Sequence, residues 1–380
     1  MIYNMVRFIK PGTALVLAAV IMGACNPASK TTKSSSLKEA FDGKFTIGTA
    51  MNAWEITGKD TPGVEVIKKH FNAIVAENCM KPGPIQPREG EFKWELPDQM
   101  VAFGEANNMF ITGHVLVWHS QAPRWFFTDS LGNTVTPEVR TQRMKEHIYT
   151  VAGRYKGKVK GWDVVNEAFN EDGSYRQSKF YQILGEEYIP LAFQFAHEAD
   201  PDAELYYNDY NEWYPGKVEA IVKLIGQLRE RGLRIDGVGM QGHIGMDHPT
   251  IEEYEKAIVA FGNAGATVMI TELDMSLLPF PDPKVGAEVS ASFEYQAKLN
   301  PYKEGFPDSV LGVWNNRMGE FFDLFLKHSD VVTRVTAWGT TDNTSWKNNW
   351  PVRGRTDYPL IIDRNYQPKP FLNKYLKAAK

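Results

Sequence analysis

Cysteine is nearly absent. The 380-residue chain has two, Cys25 and Cys79, too few for a disulfide framework or a cysteine-built metal cluster. Neither HExxH nor GxxxxGK[ST] occurs, so the zinc-peptidase helix and the phosphate-cradling loop are both missing. No metal site and no cofactor is expected. There is also no long run of one charge: 42 basic against 46 acidic side chains leave a formal net charge of −4. A nucleic-acid partner needs a basic face, and none is expected here. A near-neutral surface suits an uncharged substrate. No internal repeat is evident.

One long apolar run exists, and it lies at the N-terminus. Arg7 and Lys10 precede a nearly continuous apolar stretch from Thr13 to Ala24. Its length is that of a signal-peptide core and is too short to span a bilayer. It ends in Met22-Gly23-Ala24-Cys25, where small residues let a peptidase close on the backbone. This segment resembles the lipobox of bacterial lipoproteins, in which the cysteine is acylated and becomes the new N-terminus. The resemblance implies a signal peptide over 1–25, lipidation at Cys25 and export to a bacterial cell membrane. The outer membrane is expected, on its periplasmic or surface face, with the anchor as the only membrane contact. An ordinary signal peptide that happens to contain a cysteine is the alternative. Residues 26–36 are rich in Ser, Thr and Lys and read as a flexible tether. Residues 37–380 then form the folded domain, expected to act as a monomer.

What the chain has in abundance is aromatic side chains, 12% of the total, with 10 Trp. Each Trp is either core or the lining of a binding groove. Along the rest of the chain, short β-branched or apolar runs alternate with longer amphipathic stretches. Candidate strands are Phe45–Thr49, Phe71–Glu77, Phe110–Val117, Gly161–Val165, Glu204–Asn208, Gly237–Gln241, Thr267–Thr271 and Arg334–Trp338. Helical patterns cover Pro137–Tyr155, Lys179–Glu198, Pro215–Arg231 and Met318–His328. Thr136-Pro137 supplies an N-cap followed by proline at the first helical position. Eight such units predict an α/β fold, a closed (β/α)8 or TIM barrel.

Polar residues close these apolar runs: Glu77-Asn78, His114, Asn166-Glu167, Asn208, Gln241-Gly242-His243 and Glu272. In such a barrel the C-terminal rim of the strands is where chemistry is built. Of the three glutamates among them, Glu167 and Glu272 lie on the fourth and seventh strands, opposite each other across the barrel mouth. Glycoside hydrolysis needs one carboxylic acid to protonate the leaving oxygen. It needs a second carboxylate to attack the anomeric carbon or to activate water.

Trp162-Asp163-Val164-Val165-Asn166-Glu167-Ala168 and Ile270-Thr271-Glu272-Leu273-Asp274-Met275 resemble the two active-site signatures of glycoside hydrolase family 10, the endo-β-1,4-xylanases. Further segments are similar in the same order: Glu77-Asn78-Cys79-Met80-Lys81 with Pro87 to Phe92, Gly113 to His119 with Gln121, Pro123 and Trp125, Asn208 to Asn211, and Gly239 to His243. The resemblance covers nearly all of residues 40 to 378. It implies hydrolysis of xylan and xylo-oligosaccharides by a retaining double displacement. Position by position, it implies that Glu167 is the acid/base, Glu272 the nucleophile and Asn166 the residue on the sugar 2-hydroxyl. His243 would orient the nucleophile, with Asp274 behind it. Glu77, Asn78, Lys81, His114, Trp118 and Gln241 would bind sugar, and Trp338 and Trp346 would roof the cleavage site. The chain departs from the family in Pro82-Gly83 after Lys81, and the connection from Glu272 to Trp338 is long.

Structural roles are expected for His119, His147 and Cys79. Asp163 is either a supporting or a catalytic carboxylate, and Asn208 and Tyr210 are either supports or site members. A related barrel glycosidase such as a cellulase or mannanase, and a non-enzymatic glycan-binding lipoprotein, are the competing readings. The first would share the strand-four and strand-seven glutamates; the second would not need both.

Overall fold

The computed structural model describes residues 35–282 and 290–376. Cys25, the signal peptide, most of the tether and the 283–289 part of the long connection lie outside them. Among the described residues, nine strands run in chain order: β1 Thr46–Met51, β2 Ala73–Ala76, β3 Phe110–Trp118, β4 Gly161–Asn166, β5 Glu204–Asp209, β6 Gly237–Met240, β7 His243–Ile244, β8 Thr267–Met275 and β9 Val332–Ala337. The two-residue β7 is a spur paired with β8 at His243↔Asp274. The other eight close on themselves, because β6 pairs directly with β8 and β9 pairs with β1, every ladder parallel. The expected (β/α)8 barrel is what forms.

Parallel strands covered on their outer side by helices read as continuous apolar runs. Ala73–Ala76 and Gly161–Asn166 are buried at every position. The principal covering helices are Thr61–His70, Glu95–Ala106, Pro137–Arg154, Tyr188–Ala199, Pro215–Glu230, Ile251–Asn263 and Asp308–Lys327. Thr136 caps the third of these through a bond from Val139 N, as its sequence implies. The stretch expected to be one helix over Lys179–Glu198 is two, Lys179–Leu184 and Tyr188–Ala199. Gly185 between them takes φ +61, which a helix interior does not accommodate. The helix expected at Met318–His328 begins ten residues earlier, at Asp308, and ends at Lys327.

The Pro82-Gly83 departure has a packing cause. Pro82 opens a one-turn helix, and Gly83 N donates to Gln121 O at 2.9 Å. A Cβ on Gly83 would lie 2.5 Å from that oxygen. Glycine lets the loops after β2 and β3 touch, and the contact holds Gln121 at the rim.

Candidate active site

Strand ends deliver the chemistry. Glu167 directly follows β4 and takes φ +58, a region costly for a side chain with a Cβ, by about 1–3 kcal/mol. Three contacts fix it there: Glu167 N donates to Asn208 O at 2.9 Å, Arg176 Nε to Glu167 O at 3.1 Å, and Ala168 N to the Tyr207 hydroxyl at 3.0 Å. The bend turns the Glu167 carboxyl into the barrel mouth. Glu272 lies within β8, opposite. Both are buried, 6% and 5% exposed.

An amide network joins the two carboxyls. Gln241 Nε2 donates to Glu167 Oε1 at 3.1 Å and to Asn166 Oδ1 at 3.2 Å. Asn208 Nδ2 donates to the same Asn166 oxygen and to Glu272 Oε1, each at 3.0 Å. Thr271 Oγ1 donates to Asn208 Oδ1 at 2.6 Å, and the Glu272 carboxylate, which only accepts, fixes the flip of that amide. On its other side, Glu272 Oε2 lies 3.2 Å from His243 Nε2, and His243 Nδ1 lies 3.0 Å from Asp274 Oδ1. Asp274 is fully buried, accepts Trp346 Nε1 at 2.7 Å and faces Lys347 Nζ at 3.5 Å.

These surroundings drive the two carboxyls apart. Burial, followed by the charge of Asp209, pushes Glu167 up to about 7, although the nearby Trp118 indole and the hydrogen bond from Gln241 hold it back. Burial would raise Glu272 as well. The His243 hydrogen bond and the positive charges of His243 and Lys81 outweigh it and leave Glu272 below the ordinary carboxyl value. His243 stays protonated: burial opposes its charge, but Asp274 and the bond to Glu272 lift it to about 9. One carboxyl is therefore poised to hold a proton near neutrality and the other to remain an anion, the division of labour that acid and nucleophile require.

A cleft runs over this pair, and Glu77, Asn78, Lys81, His114, Trp118, Gln241, Trp338 and Trp346 all line it. Lys81 Nζ donates to Asn78 Oδ1 at 3.0 Å, and Asn78 Nδ2 to Glu77 Oε1 at 3.1 Å. The Lys81 ammonium lies 5.2 Å from the Trp118 ring and 5.7 Å from that of Trp338. His114 is held edge-on to Trp338 and bonded through Nδ1 to Asp163 Oδ2 at 2.8 Å, so Asp163 supports rather than reacts. Asp274 lies behind His243 and outside the cleft lining.

Other expectations resolve individually. Asn208 touches Glu272 and is a site member. Tyr210 is a support, receiving Arg176 Nη2 at 2.7 Å. His147 is structural, its Nδ1 2.6 Å from Gln86 Oε1 in the core. The Cys79 thiol is pushed up to about 12 by burial, which leaves it inert. His119 differs from its expected structural role, since its Nε2 reaches within 3.9 Å of Glu167 Oε2. Two cleft residues went unassigned. Gln121 lines the wall at φ +50, and Trp350 stacks on Trp346 with ring centroids 4.5 Å apart. The i, i+4 spacing of Trp346 and Trp350 was the available signal. The described part of the long connection also reaches this wall, with Phe280 against Trp350 at 5.5 Å and Pro279 O accepting from Arg355.

Comparison with known proteins agrees with this geometry. The model for glycosyl hydrolase family 10 matches residues 36–378. The chain belongs to that family. The family 10 domain is 49% identical over 342 residues to endo-1,4-beta-xylanase A of Xylanibacter ruminicola, covering 90% of this chain and 93% of the relative. It is 38% identical over 361 residues to a thermostable celloxylanase of Thermoclostridium stercorarium, covering 91% and 88%. Among solved structures, a GH10 endoxylanase retrieved from a sugarcane soil metagenome superposes with a TM-score of 0.86 at 45% identity, covering 89% of this chain and 99% of that one.

Proposed function

We propose that this family 10 member is an endo-1,4-β-xylanase that cuts internal β-1,4-xylosidic bonds with retention of configuration. The observation that carries the reading is the joined, oppositely poised pair of Glu167 and Glu272. Glu167 delivers its proton to the leaving oxygen while the Glu272 carboxylate attacks the anomeric carbon and forms a glycosyl-enzyme. Glu167, now ionised, takes a proton from water, which releases the sugar with its original configuration. Asn166 meets the 2-hydroxyl beside the nucleophile. His243, held by Asp274, keeps Glu272 oriented and charged. Glu77, Asn78 and Lys81 bond the hydroxyls of the sugar on the non-reducing side, and Trp338, Trp346 and Trp350 present flat faces to the pyranose rings.

The test is reducing-sugar release from xylan and from cellulose, with NMR of the first product. Release from xylan as the β-anomer supports the reading. Turnover of cellulose alone, or an α-anomer as first product, overturns it.

We further propose that the chain is exported and lipid-anchored through Cys25, acting as a monomer on xylan near the membrane. The support is the Met22-Gly23-Ala24-Cys25 sequence after the apolar run. Cys25→Ser should move the protein to the soluble fraction or block its processing. Unchanged membrane association with radiolabelled lipid would refute the anchor.

A further inference from the structure

Gln241 and His243 approach the two carboxyls from either side of a single residue, Gly242. That glycine holds φ +75, a conformation natural to glycine and strained for other residues. A Cβ there would also lie 2.8 Å from Ile270 Cγ2 and 3.3 Å from the Tyr254 hydroxyl. The turn is tied down on most sides. Gln241 N donates to Asp209 O at 2.9 Å, Glu272 N to Gln241 O at 2.7 Å, and Asp274 N to Gly242 O at 3.2 Å. The amide of Gly242 itself donates to a side chain, Glu212 Oε1, at 3.2 Å. Glu212 follows the Asn208–Asn211 segment, is fully buried, and takes no part in the mechanism above.

We propose that Glu212 is a positioning residue for the glycosidase reaction: by holding Gly242 it sets Gln241 on Glu167 and His243 on Glu272 from one turn. This rests on the reading of those two glutamates as the catalytic pair.

The chemistry around Glu212 suits a neutral acid. Burial, with Asp209 adding to it against Lys217, pushes its carboxyl up to about 8. The groups facing it are Asp209 on β5, Lys217 on the Pro215–Glu230 helix, Tyr254 on the Ile251–Asn263 helix and the Gly242 amide. Lys217 is already committed to Asp209 at 3.0 Å. The second oxygen of Glu212 and the hydroxyl of Tyr254 are both buried without a hydrogen-bond partner among the described residues. A protonated Glu212 accepts from Gly242 through one oxygen and keeps the other uncharged. Ionising it strands a charge whose facing lysine, Lys217, is already paired with Asp209, and relief requires the turn to move.

The test uses wild type, Glu212→Gln and Glu212→Met on a dinitrophenyl xylobioside. That leaving group departs without a proton, so its pH profile is blind to Glu167 as acid. Methionine has the length of glutamate but no acceptor oxygen, and releasing the turn should lower kcat by about 10²-fold while KM changes much less. Glutamine keeps an oxygen for the Gly242 amide and cannot ionise. It should restore most of kcat and move the alkaline limb, near pH 8 in wild type, to higher pH. An unchanged kcat in Glu212→Met overturns the proposal, as does a Glu212→Gln enzyme with the wild-type alkaline limb. If melting curves show that Glu212→Met does not fold, the glutamine pH profile alone decides. A wild-type enzyme inactive on the xylobioside would instead overturn the glycosidase reading, and the role of Glu212 with it.

Discussion

The proton on Glu167 sets a pH dependence whose size can be worked out. A carboxyl at the ordinary value of 4.5 would be about 0.3% protonated at neutral pH, whereas one raised to about 7 is half protonated. Burial and Asp209 together therefore enlarge the acid-competent fraction by about 10²-fold. On an aryl xylobioside with a poor leaving group, kcat/KM should fall tenfold per unit as pH rises beyond about 7. The acidic limb, set by protonation of Glu272, should lie below 4.5. On a dinitrophenyl xylobioside the descent near 7 should be absent, leaving the later ones ascribed to Glu212 and, near 9, to loss of the His243 proton. The same displacement works against the fold. The folded-state value is raised, so between 4.5 and about 7 the unfolded chain releases a proton that the folded chain keeps. Stability is lost across that window, by at most about 3 kcal/mol. Glu167→Gln keeps the oxygen that accepts from Asn166 Nδ2 at 3.2 Å and from Gln241, and it cannot ionise. It should raise the melting temperature at neutral pH while reducing turnover of the poor substrate by about 10²–10⁴-fold. Identical alkaline limbs for the two leaving groups, or a glutamine enzyme no more stable at pH 7 than wild type, would refute the reasoning.

Further outcomes follow from the same contacts. Glu272→Ala should abolish turnover of good and poor leaving groups alike, because no covalent intermediate can form; a pre-steady-state burst from this variant would contradict the assignment. Asp274→Asn removes the charge that keeps His243 protonated and weakens a charge-assisted bond of about 1.5–3 kcal/mol. It should lower kcat/KM by about 10–100-fold, and NMR titration should find the His243 imidazole moved down from about 9. Trp346→Ala removes a wall stacked on Trp350 and bonded to Asp274. It should narrow the preference for an aryl xylobioside over the matching cellobioside, which we set at about 10–100-fold from a clash of ~1.4–2.8 kcal/mol at C5. Equal kcat/KM for the two sugars in wild type would favour the cellulase reading.

The barrel was legible because each strand is a local object. Its apolar run, the polar residue that closes it and the helix that follows all lie within about thirty residues of sequence. The ends of the elements were less so, since Gly185 divides a helix whose apolar pattern runs on through it. The glutamates were legible for a similar reason: a carboxyl at the end of a buried run has few structural excuses. What sequence could not reach is the set of contacts made between strands. Gly83 is glycine because of Gln121 on another loop, His119 joins the site through the fold around Glu167, and Glu212 acts through a glycine thirty residues ahead of it. Above all, the roles of the two glutamates are environmental. Glu167 and Glu272 are the same residue type, both buried and both bonded to one chain of amides, and burial pushes both toward neutrality. The difference is made by Asp209 beside one, and by His243, backed by Asp274, beside the other. These partners come from β5, β7 and β8, and only closure of the barrel brings them to the pair. Sequence therefore identifies which side chains can do the chemistry, while the sum of buried charges around each decides which one holds the proton.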